Sequence, residues 1–249
     1  MKKLGLIGYP LGHSFSKKYF SDKFIRKGIS GYEYDTYPLT SITELTALIE
    51  RVPELVGLNV TIPYKELVTG YLHEKSAVVK KTGACNCISI ENGKLIGHNT
   101  DVIGFEQSLL NSFPNLPNKA LVFGTGGAAK AVEYVLRKLS IEYKLVSRKP
   151  GVHQYSYEQV SSEVIKDTKL LINTTPTGMA PHITEAPQIP YENIGPSHCL
   201  FDLIYNPERT LFLQKGEQQG ATVQNGMEML VLQAEESWKI WSAASGNSH

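Results

Sequence analysis

Short apolar segments of strand length alternate with stretches of helical periodicity along the whole chain, and this alternation constrains the fold most strongly. Leu4–Ile7 is apolar without polar alternation, as expected for a strand that is buried on both faces, and Leu55–Val60 is the next apolar strand. Between them lies a predicted helix that takes Ser16 as its N-cap and ends at Gly28. The repeated β-α-β order predicts a parallel sheet with helices on its faces.

The same alternation restarts in the second half of the chain. Strands are predicted at Ala120–Phe123 and Tyr143–Val146, with a helix from about Gly127 to Leu139 between them. Further predicted elements are strands at Lys169–Ile172 and Leu200–Leu203 and a last helix at Met227–Trp241. In the first half, Asn92-Gly93 between two apolar segments predicts a β-hairpin, so that sheet is expected to be mixed and mainly parallel.

Charge and composition narrow the possible partners. The 25 Lys and Arg residues nearly balance the 24 Asp and Glu residues, which disfavours nucleic acid and anionic membranes as partners. No apolar run approaches the roughly 18 residues of a membrane helix. Cys85 and Cys87 lack a second Cys/His pair for a metal, so these residues and Cys199 are interpreted as reduced thiols of a cytoplasmic protein.

A glycine-rich turn follows the first strand of the second half. The residues after Phe123 are Gly124, Thr125, Gly126, Gly127 and Ala128, and they open a predicted helix. Glycines at such a turn let the backbone approach a pyrophosphate, and the helix N-terminus offers N–H groups to the anion. Glycine also serves plain tight turns, so the motif alone leaves both interpretations open.

The end of the next strand carries Ser147, Arg148 and Lys149. A site that prefers NAD usually places a carboxylate there, about 20 residues after the glycine turn, on the ribose hydroxyls. A hydroxyl and two cations instead suit a 2′-phosphate, which favours NADP. The alternative is a pair of exposed basic residues on a loop.

Two polar segments in the first half carry residues suited to oxidising or reducing an alcohol. Asn59 and Thr61 alternate at a strand end, and Lys65 follows at the predicted start of a helix, while Asp101 stands at a later strand-to-helix boundary. Hydride transfer to or from an alcohol carbon needs a group that handles the hydroxyl proton, and a lysine can do so. Taken singly, Asp101 also suits a helix N-cap and Lys65 a solvated side chain.

Several motifs, in this order, resemble the shikimate dehydrogenase family over nearly the whole chain. They are Gly12-His13-Ser14-Phe15-Ser16, Asn59-Val60-Thr61-Ile62-Pro63-Tyr64-Lys65, Gly83-Ala84-Cys85-Asn86, Asn99-Thr100-Asp101 with Gly104-Phe105, Gly124 to Ala128, Asn173 to Met179, Asp202 to Pro207, and Gly226 followed by Gln233. Thr125 departs from the more usual Ala of the glycine turn, and Cys85 and Cys87 stand where Val and Thr are common.

The resemblance implies an NADP-dependent enzyme that reduces 3-dehydroshikimate to shikimate, a small-molecule reaction of aromatic amino-acid biosynthesis. It assigns Lys65 and Asp101 to catalysis. The substrate-binding residues it implies are Ser14, Ser16, Asn59, Thr61, Asn86, Tyr205 and Gln233. The cofactor-binding residues it implies are the glycine turn 124–128, Ser147, Arg148, Lys149, Thr174, Leu203 and Gly226.

The same resemblance implies two α/β domains with the active site in the cleft between them. Residues 1–104 with 226–249 would form the substrate domain, and 105–225 a Rossmann-like NADP domain. A monomer and a homodimer both stay open. The alternatives are a quinate/shikimate dehydrogenase with relaxed cofactor use, and a non-catalytic NADP- or metabolite-binding regulator on the same fold.

Overall fold

The computed structural model describes residues 1–12, 15–244 and 246. The chain divides into two compact units, one formed by Met1–Thr100 with the chain from Ala234 onward, the other by Asp101–Gln233. One unit contains a mixed sheet and the other a parallel sheet. The predicted α/β class is therefore confirmed.

The first unit is built on a six-stranded mixed sheet. Its strands are β1 (Lys2–Gly8), β2 (Tyr32–Pro38), β3 (Leu55–Val60), β4 (Glu74–Lys75), β5 (Cys87–Glu91) and β6 (Lys94–His98). The helices are α1 (Phe15–Lys27), α2 (Leu45–Arg51) and α3 (Ala77–Thr82), with short 3-10 helices at Ile42–Glu44 and Leu67–Tyr71. The strand order is β2-β1-β3-β5-β6-β4, and β5 runs antiparallel to both β3 and β6.

Local sequence explains most of these boundaries. Asn92 and Gly93 have φ angles of 50° and 78°, as a tight hairpin turn between β5 and β6 requires. Helix α1 ends at Lys27, and Gly28 follows with a φ of 62°. The prediction that Ser16 is the N-cap is wrong, because α1 already begins at Phe15 and Ser16 lies inside its first turn.

Apolar side chains cover both faces of the mixed sheet. On one face Leu45 and Leu48 of α2 pack with Leu58 of β3, and all three are almost fully buried. The opposite core is aromatic, and in it the ring of Phe20 stacks on Tyr34 at 4.6 Å between centroids. Burial on both faces accounts for strands without polar alternation.

The second unit is built on a five-stranded sheet that is parallel throughout. Its strands are β7 (Lys119–Phe123), β8 (Glu142–Val146), β9 (Leu170–Asn173), β10 (Cys199–Asp202) and β11 (Thr222–Gln224). The helices are α4 (Asp101–Ser112), α5 (Gly127–Lys138), α6 (Ser162–Asp167) and α7 (Leu211–Gln218), and 3-10 helices lie at Tyr157–Gln159 and Tyr191–Asn193. The last helix, α8 (Met227–Ala244), belongs to this unit up to Gln233 and to the first unit from Ala234 onward. Strand β11 and helices α6 and α7 had no counterpart in the sequence prediction.

The strand order β11-β10-β9-β7-β8 places a topological switch point in this sheet. The chain leaves β7 for β8 on one side and then crosses to β9 on the other side. In open parallel sheets, ligands bind outside the carboxyl ends of the strands at such a point. The fold therefore directs attention to the residues that follow β7, β8 and β9.

In the part of the chain that the structure describes, no helix is both long and apolar enough to cross a membrane.

Candidate active site

The carboxyl edge of the parallel sheet carries all the residues predicted to bind the cofactor. Each stretch directly follows a strand: Gly124 to Ala128 after β7, Ser147 to Lys149 after β8, Thr174 after β9, Leu203 after β10, and Gly226 just beyond β11. The glycine turn and Thr174 lie on the two sides of the switch point. The structure thus gathers along one edge residues that are about a hundred positions apart in the sequence.

The first residue of the turn has to be glycine. Gly124 has a φ of 109°, and a Cβ at this position would lie 2.5 Å from Oγ1 of Thr174. Its N–H donates to the carbonyl of Val146 over 2.9 Å, and the Thr174 hydroxyl donates to the carbonyl of Phe123 over 2.7 Å. These contacts hold the turn against the ends of both neighbouring strands.

The N-terminus of α5 is open to an anion. Gly126 is its N-cap and supplies no capping side chain, while the helical bonds begin with the Lys130 N–H donating to the Gly126 carbonyl. The backbone N–H groups ahead of that bond therefore point out of the helix end. Thr125 and Gly126 are exposed, so that a phosphate can reach these donors.

The loop after β8 supplies positive charge beside the turn, because β7 and β8 are paired to their ends at Phe123 and Val146. Arg148 and Lys149 are both exposed. The hydroxyl of Ser147 accepts the Lys149 N–H over 3.2 Å and so shapes the bend between them.

A buried polar cluster fixes the two loops that follow β9 and β10. The carboxylate of Asp202 accepts three hydrogen bonds, from Thr210 Oγ1 at 2.6 Å, Asn173 Nδ2 at 3.1 Å and the Ile204 N–H at 3.0 Å. Asn173 Oδ1 in turn accepts from the hydroxyl of Thr175 at 2.7 Å. Burial raises the pKa of Asp202 to about 7, although the three donors oppose that shift.

The other second-unit residues that were predicted to bind the substrate or the cofactor lie after Asp202 in the chain, one of them in α8. Gly226 packs so closely on the backbone that a Cβ would lie 2.1 Å from the Leu203 carbonyl oxygen. Tyr205 is half-buried, and this burial raises the pKa of its hydroxyl. Gln233 is buried in α8, where its Nε2 donates to the Leu230 carbonyl over 2.8 Å.

The lysine segment lies at the end of β3 in the first unit. The Thr61 N–H donates to the Ile7 carbonyl over 2.9 Å, which aligns this segment with the neighbouring strand β1. Lys65 is half-buried, and its carbonyl accepts the N–H of Cys85 over 2.7 Å. The prediction that Lys65 enters a helix needs correction, since it lies in a turn ahead of the 3-10 helix that begins at Leu67.

Asn59 and Asn86 meet in a buried polar network of the first unit. Nδ2 of Asn59 donates to Ser237 Oγ over 3.0 Å and to the Asn86 carbonyl over 3.3 Å, while its Oδ1 accepts from the Tyr34 hydroxyl over 2.9 Å. Asn86 Oδ1 accepts the N–H of Thr100 over 2.7 Å, and its Nδ2 donates to Thr100 Oγ1 over 2.9 Å. The two asparagines are therefore held in fixed orientations.

The other predicted residues are placed as follows. Asp101 is the first residue of α4, as its predicted position at a strand-to-helix boundary requires, and it is buried. Ser16 lies buried near the start of α1, and Ser14 lies outside the described residues. Among the residues described, no three His, Cys, Asp or Glu side chains are arranged to hold a metal ion.

Sequence reasoning assigned no role to three buried polar residues, namely Tyr34, Ser237 and Asp202. A sequence signal for Ser237 exists: it lies four residues after Gln233 and four before Trp241, which puts all three on one face of α8. For Asp202, the signal is a carboxylate at the end of the apolar segment Leu200-Phe201.

Comparison with known proteins identifies the family. Residues 6–88 match a family model described as the shikimate dehydrogenase substrate binding domain. A shikimate dehydrogenase (NADP(+)) of Halothermothrix orenii is 36% identical over 263 aligned positions, which cover 96% of this chain and 90% of the relative. This chain belongs to the shikimate dehydrogenase family.

Solved structures of shikimate dehydrogenases agree with this assignment. One was crystallised in complex with NADP+ and is 31% identical to this chain, with a TM-score of 0.85. The alignment covers 97% of this chain and 90% of the solved chain. Another, from Thermus thermophilus in complex with NADP(H) and shikimate, is 28% identical with a TM-score of 0.85. The alignment covers 99% of this chain and 97% of the solved chain. The match includes both the mixed-sheet and the parallel-sheet parts of the chain.

Proposed function

We propose that this chain is an NADP-dependent shikimate dehydrogenase that catalyses the reversible reduction of 3-dehydroshikimate to shikimate. The observation that carries the proposal is the edge of the parallel sheet, where an uncapped helix N-terminus and two exposed cations follow adjacent strands at the switch point. The family membership supplies the substrate. The relaxed quinate/shikimate enzyme and the non-catalytic regulator are not favoured by any observation on the site.

The residues of that edge suit NADP. The N–H groups at the start of α5 would bind the pyrophosphate. A Cβ added at Gly126 would meet no protein atom within 4 Å, so there is space for a phosphate to approach the backbone there. Ser147, Arg148 and Lys149 would bind the 2′-phosphate through charge-assisted hydrogen bonds. Thr174, Leu203 and Gly226 would contact the cofactor from the neighbouring strand ends. When bound, NADPH supplies the hydride.

The substrate would be held by neutral donors and acceptors. A polyhydroxylated ring acid needs many of these, and hydroxyls and amides provide them. In our proposal Ser14, Ser16, Thr61, Asn86, Tyr205 and Gln233 bind its hydroxyls and carboxylate. Asn59 donates both amide hydrogens within the protein and its oxygen accepts from Tyr34, so that the second lone pair of that oxygen is the position left for a substrate.

Lys65 and Asp101 would handle the proton at the reacting oxygen. In reduction, the Lys65 ammonium would donate a proton to the carbonyl oxygen as it gains charge, and in the reverse direction the lysine would accept it. A carboxylate such as Asp101 would orient that ammonium. We assign the substrate role to residues 1–104 with 226–249 and the cofactor role to residues 105–225.

The proposal is tested by following NADPH absorbance with purified protein and 3-dehydroshikimate, and NADP reduction with shikimate. We expect turnover in both directions, with a preference for NADP over NAD. Faster turnover of quinate with NAD would support the relaxed enzyme instead, and NADP binding without any turnover would support the regulator.

We also propose that the protein is cytoplasmic and that it acts as a monomer or a homodimer. All three cysteines are thiols, which supports a reducing compartment. Light scattering of the purified protein would distinguish the two oligomeric states.

A further inference from the structure

Ser237 lies at the centre of the polar network in the first unit. It belongs to α8, and its side chain is fully buried. Its hydroxyl accepts from Asn59 Nδ2 over 3.0 Å and lies 3.2 Å from Thr100 Oγ1, where either hydroxyl can donate. One buried hydroxyl thus joins the end of β3 to the connection between β6 and α4, which is about forty residues further along the chain.

The first of the two segments joined by Ser237 is the end of β3, which leads to Lys65. Asn59 is the last but one residue of β3, and the chain continues directly through Thr61 to Lys65. The Tyr34 hydroxyl donates to the Asn59 oxygen and the Asn59 nitrogen donates to Ser237, so that the amide has partners at both its oxygen and its nitrogen. The carboxamide is therefore fixed in one rotamer and one flip state.

The second segment joined by Ser237 is the connection between β6 and α4, which leads to Asp101. Thr100 immediately precedes Asp101, and the side chain of Asn86 bonds both its N–H and its hydroxyl. A shift of the Thr100 hydroxyl therefore also disturbs Asn86, a residue proposed to bind the substrate. In such a closed network each bond depends on the orientation of the next.

We infer that Ser237 is a positioning residue for the proton-handling and substrate-binding groups. Its hydroxyl links the β3 end, which leads to Lys65, with the Asn86–Thr100 pair, which leads to Asp101. The inference rests on the proposed function. Misplacement of reacting groups by about 1 Å lowers rates by up to about 100-fold, so that a hydroxyl which never touches the substrate still affects turnover.

The test compares Ser237→Ala with Ser89→Ala. Ser89 is an equally buried serine of the same unit whose hydroxyl bonds Glu91 and His98 instead, outside this network. We expect both variants to unfold at a lower temperature than the wild type. Only Ser237→Ala should also lower kcat and raise the KM for shikimate, together by about 10- to 100-fold in kcat/KM, with the KM for NADP unchanged.

A second variant keeps the inference open to refutation if Ser237→Ala does not fold. Tyr34→Phe retains the ring that stacks on Phe20 and removes the hydroxyl, which bonds Asn59 and also interacts with Ser16. It should change kcat/KM for shikimate in the same direction by a smaller factor.

Kinetics of Ser237→Ala or Tyr34→Phe that match those of Ser89→Ala would show that the network only stabilises the fold. Such a result with an active wild-type protein overturns this inference alone. A wild-type protein without turnover contradicts the proposed function itself.

Discussion

At the end of β3 and around Asn86, the first unit gathers neutral amides and hydroxyls that are buried and bond one another. The carboxyl edge of the parallel sheet presents glycines, open backbone N–H groups and exposed cations instead. The difference follows from what each region would bind. Neutral hydroxyls of a ligand are distinguished by donors and acceptors in fixed places, whereas a phosphate needs close backbone approach and positive charge.

The parallel-sheet unit also contains a buried polar cluster, and this cluster differs in chemistry from the network around Asn59. Asp202 places a carboxyl group between the loops that follow β9 and β10, whereas Asn59, Ser237 and Thr100 bond one another through uncharged side chains. The first region should therefore respond to changes in side-chain geometry, and the second to changes in charge and pH.

The largest effect is expected from Lys65→Ala. Loss of a positioned acid–base group lowers kcat by about 10² to 10⁴, while NADP binding should stay near the wild-type level. Steady-state kinetics and NADPH fluorescence titration measure the two quantities. Lys94→Ala, which removes an exposed lysine of the same unit paired with Glu74, should leave both unchanged. Near-normal turnover of Lys65→Ala would refute its role in proton transfer.

Asp202→Asn tests whether the second region depends on a titrating group. Its folded-state pKa of about 7 lies above the ordinary aspartate value, so the folded protein keeps a proton that the unfolded chain releases. Stability should therefore fall as the pH rises from about 4 to about 7, by up to about 4 kcal/mol in unfolding free energy. Asp202→Asn should lose this dependence.

Urea unfolding of the wild type and of Asp202→Asn, at one pH below about 4 and one above about 7, measures how the unfolding free energy depends on pH. Thr168→Val, a change at a buried residue of the same unit that does not titrate, should shift stability equally at both pH values. Equal pH dependence in the wild type and in Asp202→Asn would argue against an abnormal carboxyl group.

Gly126→Ala tests the proposed approach of the pyrophosphate. Its added methyl meets no protein atom within 4 Å, so that the folded state should be unaffected. The same methyl would occupy the space in front of α5, and we expect the KM for NADP to rise about tenfold, or ~1.4 kcal/mol.

Gly195→Ala is the matched control, because its Cβ would also meet open space in the same unit. An unchanged KM for NADP in Gly126→Ala would place the pyrophosphate elsewhere.

The smallest effect is expected from Arg148→Ala. An exposed charge pair contributes up to about 1 kcal/mol, so that the KM for NADP should rise about fivefold. The KM for NAD should not change, because NAD lacks the 2′-phosphate. Lys166→Ala, another exposed cation of this unit, should have no effect on either. An equal loss for NADP and NAD would contradict recognition of the 2′-phosphate.

Much of the architecture was predictable from local sequence. Strand β3 has the predicted bounds, and the Asn92-Gly93 hairpin was confirmed, because periodicity and turn chemistry act over a few residues. The glycine turn was predictable for the same reason. Errors arose at a helix boundary, where the predicted cap Ser16 lies one residue inside α1, and where an element is short, as with β11.

By itself, the sequence determined the order of strands and helices, the two α/β halves and the residue types that suit NADP and a polyol. Only the tertiary structure decided which polar groups support one another. Asn59 and Ser237 are 178 positions apart, and Asn173 and Asp202 are 29 apart on neighbouring strands. Helical spacing shows which face a residue such as Ser237 lies on, but its hydrogen-bond partner depends on distances that exist only after the sheets have formed.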